Sequence, residues 1–215
     1  MYLVIKKALS KELTEFCYDY FCTKMKVARF FLDTKCFSFG DFYLGSIALE
    51  KIVEILGWGG GRDSQIPNTY SNYGDVVIET LLLKLQPLVE AETGMKLSPT
   101  YTYARMYKKG DILKRHKDRF SCEISTTLKL GGDPWPIFLE PSGKEGKQGI
   151  SMLLESGDLL IYKGCELEHW RETFEGNRCG QAFLHYNDLS SNNSEENRYD
   201  KRPFLGLPYF FRDDS

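Results

Sequence analysis

Apolar positions in the first 99 residues predict a short strand followed by mostly helical structure. Ser10 is a suitable N-cap for a first helix. The clearest helix spans residues 75–92 and ends before Gly94, and its predicted apolar face consists of Val76, Val77, Leu81, Leu83 and Leu88. Residues 37–73 lie between the two helices and are rich in turn-forming residues. They predict long loops, with a short helix around residues 46–56.

From residue 101 onward, short apolar or alternating runs are separated by glycine-rich turns. The predicted strands are residues 101–107, 124–130, 137–140, 150–154, 159–162 and 181–186. Many short strands at regular spacing predict a β-sandwich or barrel. We therefore expect a mostly helical supporting lobe over residues 1–99 and a β core over residues 100–188. Residues 189–215 are expected to form a polar linker and an aromatic segment that packs back on the core.

Charge and cysteine usage exclude several classes of protein. The net charge of −2 and the pI near 6.0 give no electrostatic footprint for nucleic acid or for an acidic membrane, so neither is an expected partner. No apolar run predicts a signal peptide or a membrane-spanning helix, so a cytoplasmic location is expected. The six cysteines form no Cys-x-x-Cys pair, which favours free thiols over a zinc ribbon or a redox motif.

Two of the three histidines belong to a pattern that binds metal. His116 and Asp118 are two residues apart, and His169 is distant in sequence. On a strand, residues i and i+2 point to the same side, so both could reach one metal ion. Two imidazoles and one carboxylate can hold a non-haem Fe(II) by one face and leave the opposite face open. We predict His116, Asp118 and His169 as metal ligands.

Arg178 follows His169 by nine residues (178 − 169 = 9). A strand that begins after His169 and returns past the metal could aim this guanidinium into the same cavity. The planar fork of arginine suits a carboxylate, so Arg178 predicts an acidic cosubstrate.

These residues carry a resemblance to a known family. The segments are residues 103–111, residues 116–119, Gly157-Asp158 leading to residues 168–170, and Arg178. Together they resemble the Fe(II)/2-oxoglutarate-dependent oxygenases, and within them the prolyl 4-hydroxylase branch with its bacterial and phage relatives. The resemblance covers roughly residues 100–186. It implies a mainly β protein with helical support, in which a double-stranded β-helix (jelly-roll) core is buttressed by N-terminal helices.

The resemblance also implies cofactors and further site residues. Fe(II), the cosubstrate 2-oxoglutarate and O₂ would be used, with ascorbate as a plausible reductant, and no catalytic residue is expected beyond the metal ligands. Tyr107 matches a tyrosine that lines the 2-oxoglutarate pocket of prolyl hydroxylases. Thr127 and Lys129 share one face of their predicted strand, and either could contact the far carboxylate. His185 is expected to be a packed histidine and not a ligand.

Three classes of function stay open on the sequence. The favoured one is hydroxylation of a prolyl residue in a peptide or protein, and a second is the same chemistry on a free amino acid, a small metabolite or a nucleobase. Nucleobases are disfavoured because Leu184 stands where nucleic-acid demethylases carry a second arginine. The third is a non-catalytic or zinc-binding barrel, since two histidines and a carboxylate also bind zinc. No His-Glu-x-x-His motif is present to support a hydrolase.

Overall fold

The computed structural model describes residues 1–34, 53, 56–60 and 63–213. The short helix predicted around residues 46–56 lies almost wholly outside the described residues. Two helices and ten strands organise the described part of the chain. The helices are α1 (Lys11–Thr34) and α2 (Val76–Thr93). The strands are β1 (Tyr2–Ile5), β2 (Tyr70–Tyr73), β3 (Leu97–Lys108), β4 (Leu113–His116), β5 (Ile124–Gly132), β6 (Ile137–Leu139), β7 (Ile150–Met152), β8 (Leu159–Lys163), β9 (His169–Arg171) and β10 (Arg178–Asp188).

The strands form two antiparallel sheets that face each other. The larger sheet has the order β1-β8-β5-β10-β3-β2, and the smaller one has the order β4-β9-β6-β7. One face of the larger sheet packs on the helices and the other faces the smaller sheet. The result is a mainly β jelly roll with helical support, as the sequence predicted.

Capping residues fix both helices. The side-chain oxygen of Ser10 accepts from the backbone N–H of Leu13 at 3.3 Å. At the start of α2, one oxygen of Asp75 accepts from the N–H groups of Val77 and Ile78. That helix ends at Gly94, whose φ of +72° is the left-handed conformation that glycine adopts at little cost. No helix among the described residues is long and apolar enough to cross a membrane.

Strand alternation divides the larger sheet into a helix-facing side and an interior side. The helix-facing positions join the apolar faces of α1 and α2 in one core that includes Phe21, Leu82, Leu128, Ala182 and Leu184. Positions of the opposite parity face the smaller sheet. These interior positions carry unusually many polar side chains for a core, and they line the cavity described below.

The strands predicted from residue 101 onward are all present, whereas β2, β4 and β9 were not predicted. These three have only three or four residues each, which is too short for a clear period. The boundary near residue 100 stays a prediction, but the larger sheet extends across it. β1 pairs with β8, and β2 pairs with β3, so two strands of residues 1–99 belong to the main sheet.

Candidate metal centre

Two neighbouring strands of the smaller sheet bring the two distant histidines together. β4 and β9 pair antiparallel with His116 opposite His169. Their ring centroids are 4.2 Å apart. One strand pairing thus brings together two histidines that are 53 residues apart in the sequence (169 − 116 = 53).

Asp118 completes the group from a loop and not from the strand. β4 ends at His116, and the Asp118 backbone N–H donates to the carbonyl of Gly164 at 2.9 Å. Its Oδ1 lies 3.6 Å from Nε2 of His116 and 3.5 Å from Nε2 of His169. The three ligand atoms lie within 4.8 Å of one another, close enough for one ion. The three residues predicted as ligands thus lie together, although a loop brings in the carboxylate where strand alternation was expected to do so.

Backbone carbonyl groups fix the tautomers of both histidines. Nδ1 of His116 lies 2.7 Å from the carbonyl oxygen of Lys114, and Nδ1 of His169 lies 3.1 Å from that of Leu167. A carbonyl oxygen can only accept, so each Nδ1 carries the proton. When the rings are neutral, each Nε2 then presents a lone pair toward Asp118, which is the arrangement that a metal ion requires.

Burial and neighbouring groups shift the pKa values of His116 and Asp118 toward the forms that bind metal. Burial, together with nearby His169, lowers the pKa of His116, so its ring is neutral at neutral pH. For Asp118, burial alone would raise the pKa. Hydrogen bonding and charge interaction with His169, with help from His185 and Ser125, outweigh it and lower the pKa below its usual range. A neutral imidazole and an ionised carboxylate are the forms that coordinate metal.

His185 supports Asp118 from behind. Ser125 Oγ lies 2.7 Å from Oδ2 of Asp118 and 3.1 Å from Nδ1 of His185. Burial lowers the pKa of His185 to about 4, so its ring is neutral. The contact through Ser125 packs His185 behind Asp118, and that His185 is not a ligand stays a prediction, since it also lies close to Asp118 and Cys122.

The three candidate ligands line a cavity of about 430 Å³ between the sheets. Its other walls include Tyr101, Tyr103, Arg105, Thr127 and Phe183 from the larger sheet. A second chamber of about 460 Å³ adjoins it, and Asp63, Tyr101, Tyr103 and Arg119 line both. The three candidate ligands, which we call the metal group, thus lie in a cavity large enough for a small cosubstrate. The second chamber shares four wall residues with this cavity.

Arg178 does not enter this cavity, contrary to the sequence expectation. It is the first residue of β10, and its Cα is paired with that of Lys108 in β3. Its parity is that of Ala182 and Leu184, which pack against the helices, and its side chain is exposed. The strand does return past the metal, but alternation turns Arg178 to the other side of the sheet.

A different arginine lies in the interior beside the metal group. Arg171 is two residues after His169 in β9, so the two side chains leave the strand on the same side. Arg171 is only 1% exposed. Its Nη1 donates to the carbonyl of Trp135, while Nε and Nη2 have no hydrogen-bond partner among the described residues. Burial lowers its pKa, and a buried guanidinium with unused donors is costly unless an anion meets it.

The other predicted cosubstrate residues face the same interior as Arg171. Lys129 is buried, and burial, with a contribution from Arg171, lowers its pKa. Tyr107 is fully buried, packs on Trp135 at 4.7 Å and accepts from Arg105 Nη1 at 3.4 Å. Thr127 lines the cavity directly. Tyr107, Thr127 and Lys129 therefore all face the interior with Arg171, whereas Arg178 does not.

Sequence reasoning missed Arg171, although one signal was available. The spacing His169-Trp170-Arg171 is the same i, i+2 spacing that drew attention to His116 and Asp118. It was not used because β9 has only three residues and was not predicted as a strand. The five described cysteines are free thiols, as expected.

Comparisons with known proteins identify the fold. No protein-family model matches the chain, and no curated protein matches it. Among solved structures it is similar to a prolyl-4-hydroxylase from Pseudomonas putida, at 13% identity over 88% of this chain and 93% of that chain, with a TM-score of 0.54. It is similar to a viral collagen prolyl hydroxylase from Paramecium Bursaria Chlorella virus-1 in complex with 2-oxoglutarate, at 11% identity, 86% and 94% coverage, and a TM-score of 0.52.

A third similar structure is HygX from Streptomyces hygroscopicus with nickel, 2-oxoglutarate and hygromycin B bound. The identity is 16%, the coverage is 88% of this chain and 83% of that chain, and the TM-score is 0.51. At these identities the similarity concerns the fold. The chain has the jelly-roll fold that its resemblance to the Fe(II)/2-oxoglutarate-dependent oxygenases predicted.

Proposed function

We propose that this protein is an Fe(II)- and 2-oxoglutarate-dependent dioxygenase. The observation that carries the proposal is the joint presence of a facial ligand group and a buried arginine with unused donors, two residues apart on one strand. His169 belongs to the first and Arg171 is the second. Neither a zinc hydrolase nor a structural barrel has an evident use for the unpaired guanidinium.

The donor set suits Fe(II). His116, Asp118 and His169 would hold the ion by one face, with both Nε2 lone pairs available and the carboxylate ionised. When bound, Fe(II) with 2-oxoglutarate and O₂ supplies the oxidising chemistry, converting 2-oxoglutarate to succinate and CO₂ while a substrate C–H bond is oxidised. The chain's own residues position the reactants and exclude bulk water.

Arg171 is the residue that we propose for the far carboxylate of 2-oxoglutarate, in place of Arg178. Residues i and i+2 of a strand are about 6.6 Å apart, a distance that a five-carbon dicarboxylate spans. Nε and Nη2 of Arg171 are the unused donors, and Lys129 supplies a second positive charge on the same side. Tyr107 and Thr127 would complete the walls of this subsite.

For the substrate we propose a prolyl residue in a peptide or protein. Two of the structurally similar proteins are prolyl hydroxylases by name. The second chamber supports an extended ligand, because Tyr73, Tyr101, Tyr103 and Tyr209 line it and aromatic grooves accommodate proline-rich segments. Ascorbate as a reductant and a cytoplasmic location stay predictions.

A small-molecule substrate is the second candidate. HygX, whose structure contains hygromycin B, covers as much of this chain as the Pseudomonas putida hydroxylase does. The charges at the junction of the two chambers are paired, Asp63 with Arg105 and Arg119 with Asp200, so this surface does not itself demand a charged substrate.

Succinate release in the presence of Fe(II), 2-oxoglutarate and O₂ tests the proposed chemistry. Asp118→Ala should abolish the release because it removes one of the three ligands. Asp19→Ala removes an exposed carboxylate of α1 and should leave the release unchanged. Undiminished succinate release by the Asp118 variant would contradict the proposed centre.

The substrate is tested by offering proline-rich peptides, free L-proline and aminoglycosides side by side. A gain of one oxygen atom in a peptide, coupled to succinate, is the expected result. Oxidation of a small molecule with the peptides untouched would transfer the proposal to the second candidate.

A further inference from the structure

Asp200 lies in the C-terminal part of the chain and contacts the loop that carries Asp118. Its side chain is fully buried. Arg119 donates to both of its oxygens, from Nη1 to Oδ1 and from Nη2 to Oδ2, each at 2.7 Å. Ser121 Oγ donates to Oδ1 at 2.7 Å, and Tyr73 Oη donates to Oδ2 at 2.6 Å. One carboxylate thus accepts four hydrogen bonds, two of them from the residue next to the candidate ligand.

The backbone around Asp200 has a conformation that non-glycine residues seldom adopt. Tyr199, Asp200 and Lys201 have φ angles of +55°, +56° and +60° in succession. Such a conformation persists only where surrounding contacts over-determine it, and it is enriched near functional sites. The hydrogen bonds of Asp200 are among the contacts that hold this turn in place.

Residues 198–202, which we call the clamp, are fixed at a second point far from the metal group. Arg202 Nη2 donates to Oε1 of Glu79 in α2 at 2.6 Å, and both side chains are buried. Glu79 is not part of the cavity wall around the candidate ligands. The clamp therefore joins α2 to the loop that carries Asp118, the metal loop, through two ion pairs, of which only Arg119–Asp200 touches that loop.

We propose that Asp200 is a positioning residue for the metal centre, acting through Arg119 on the placement of Asp118. The proposal rests on the proposed Fe(II) function. The Asp118 carboxylate is directed by the Gly164 carbonyl through its backbone and by Ser125 through Oδ2, and neither contact fixes the chain on its C-terminal side. There the Arg119 carbonyl accepts from the backbone N–H of Cys122, and the bidentate Arg119–Asp200 pair adds a second restraint, because a fork between two planar groups fixes orientation as well as distance.

The same pair shapes the space beyond the metal. The Arg119 guanidinium lies over the ring of Tyr101 at 4.7 Å, and Tyr101 stacks on Tyr73 at 4.9 Å. Arg119 and Tyr101 line both chambers. A displaced Arg119 would therefore alter the junction of the chambers together with the metal loop.

The test compares Asp200→Asn with Glu79→Gln, which makes the same chemical change in the other ion pair of the clamp. Two measurements are made on each full-length variant. Hydrogen exchange of the backbone amides in residues 113–123 reports the order of the metal loop without any metal. Titration with Co²⁺, whose visible absorption depends on coordination geometry, reports the ligand set.

We expect Asp200→Asn to speed exchange in the metal loop, to weaken Co²⁺ binding by about tenfold, and to change the Co²⁺ spectrum. Glu79→Gln should leave the Co²⁺ affinity and spectrum unchanged. If Asp200→Asn fails to fold, Tyr73→Phe replaces it, since that change removes one hydrogen bond to Asp200 and keeps the stacked ring. A smaller shift in the same direction is then expected.

Equal effects of the two variants on exchange and on Co²⁺ binding would overturn the proposal, because the clamp would then act only through overall stability. So would an unchanged metal loop in Asp200→Asn. Failure of the unaltered protein to bind Co²⁺ is a separate outcome. It would overturn the proposed metal centre, and the exchange comparison would still decide whether Asp200 orders the loop.

Discussion

Arg202 and Arg171 are both almost wholly buried, and they differ in how their charge and their donors are satisfied. Arg202 pairs with Glu79, and its nitrogens also donate to the carbonyl groups of Tyr199, Thr100 and Leu207. Arg171 has one backbone acceptor, the carbonyl of Trp135, and two nitrogens without a partner among the described residues. A carboxylate balances the charge of the first, whereas no described carboxylate pairs with the second.

This contrast separates a structural charge from a binding charge. When the geometry and hydrogen bonds of a buried ion pair are complete, its desolvation cost is offset within the folded protein itself. A buried cation with unused donors is a cost to the folded state that an arriving anion removes. Arg202 therefore holds the clamp to α2, and Arg171 is left for a ligand.

The strongest way to break this contrast is to remove each charge and measure the free energy of unfolding in urea. Arg202→Met should destabilise the protein by about 3–5 kcal/mol, because it leaves Glu79 buried without its partner. Arg171→Met should change the stability by less than about 1 kcal/mol, because the loss of one hydrogen bond is offset by removing an uncompensated charge. Arg202→Lys, which keeps the charge but not the fork, should fall between Arg202→Met and the unaltered protein. A loss for Arg171→Met as large as that for Arg202→Met would make Arg171 a structural residue.

The second prediction sharpens the contrast with the cosubstrate. In anaerobic titrations with Fe(II) present, Arg171→Met should weaken 2-oxoglutarate binding by about 2–5 kcal/mol, or roughly 30-fold to several thousandfold. The expected cause is the loss of a charge-assisted partner in a desolvated site. Affinity for Fe(II) alone should be unchanged, since Arg171 is not a ligand. Binding also raises the melting temperature through linkage, so this shift should vanish in the variant.

The sequence singled out the three residues that the structure brings together as candidate ligands, because few residues could serve. The chain has only three histidines, so few combinations of two histidines and a carboxylate were available. The strands from residue 101 onward were predictable for a related reason, since glycine-rich turns separate them. Arg171 and Asp200 could not be predicted in the same way. β9 is too short for its sequence to show which side chains face the interior. The left-handed turn at Asp200 contains no glycine that would indicate it in the sequence.

The remaining differences are errors about which face of a helix or strand a side chain occupies. Val76 and Leu83 were assigned to the apolar face of α2, but they are 63% and 50% exposed, because Ile78, Leu82 and Leu85 form the buried stripe. Arg178 was predicted to enter the cavity from its nine-residue spacing after His169 and from the family resemblance. Whether it faces in or out depends on where β10 begins and on the irregularity between Gly180 and Gln181, which only the paired strands reveal.

The smallest expected effect is that of Arg178→Ala, and it provides the control for Arg171. Arg178 is exposed on the helix side of the sheet, so its removal should change stability by no more than about 0.5 kcal/mol, as for most surface positions. On the same reasoning 2-oxoglutarate affinity should change by about twofold or less. The two arginines are seven residues apart (178 − 171 = 7), and both flank the turn between β9 and β10, so disturbance of that turn alone would affect both variants alike. If Arg178→Ala loses 2-oxoglutarate and Arg171→Met retains it, the cosubstrate lies on the other side of the sheet from the cavity, or β10 shifts by one residue on binding. Either result would return the carboxylate to the arginine that the sequence first indicated.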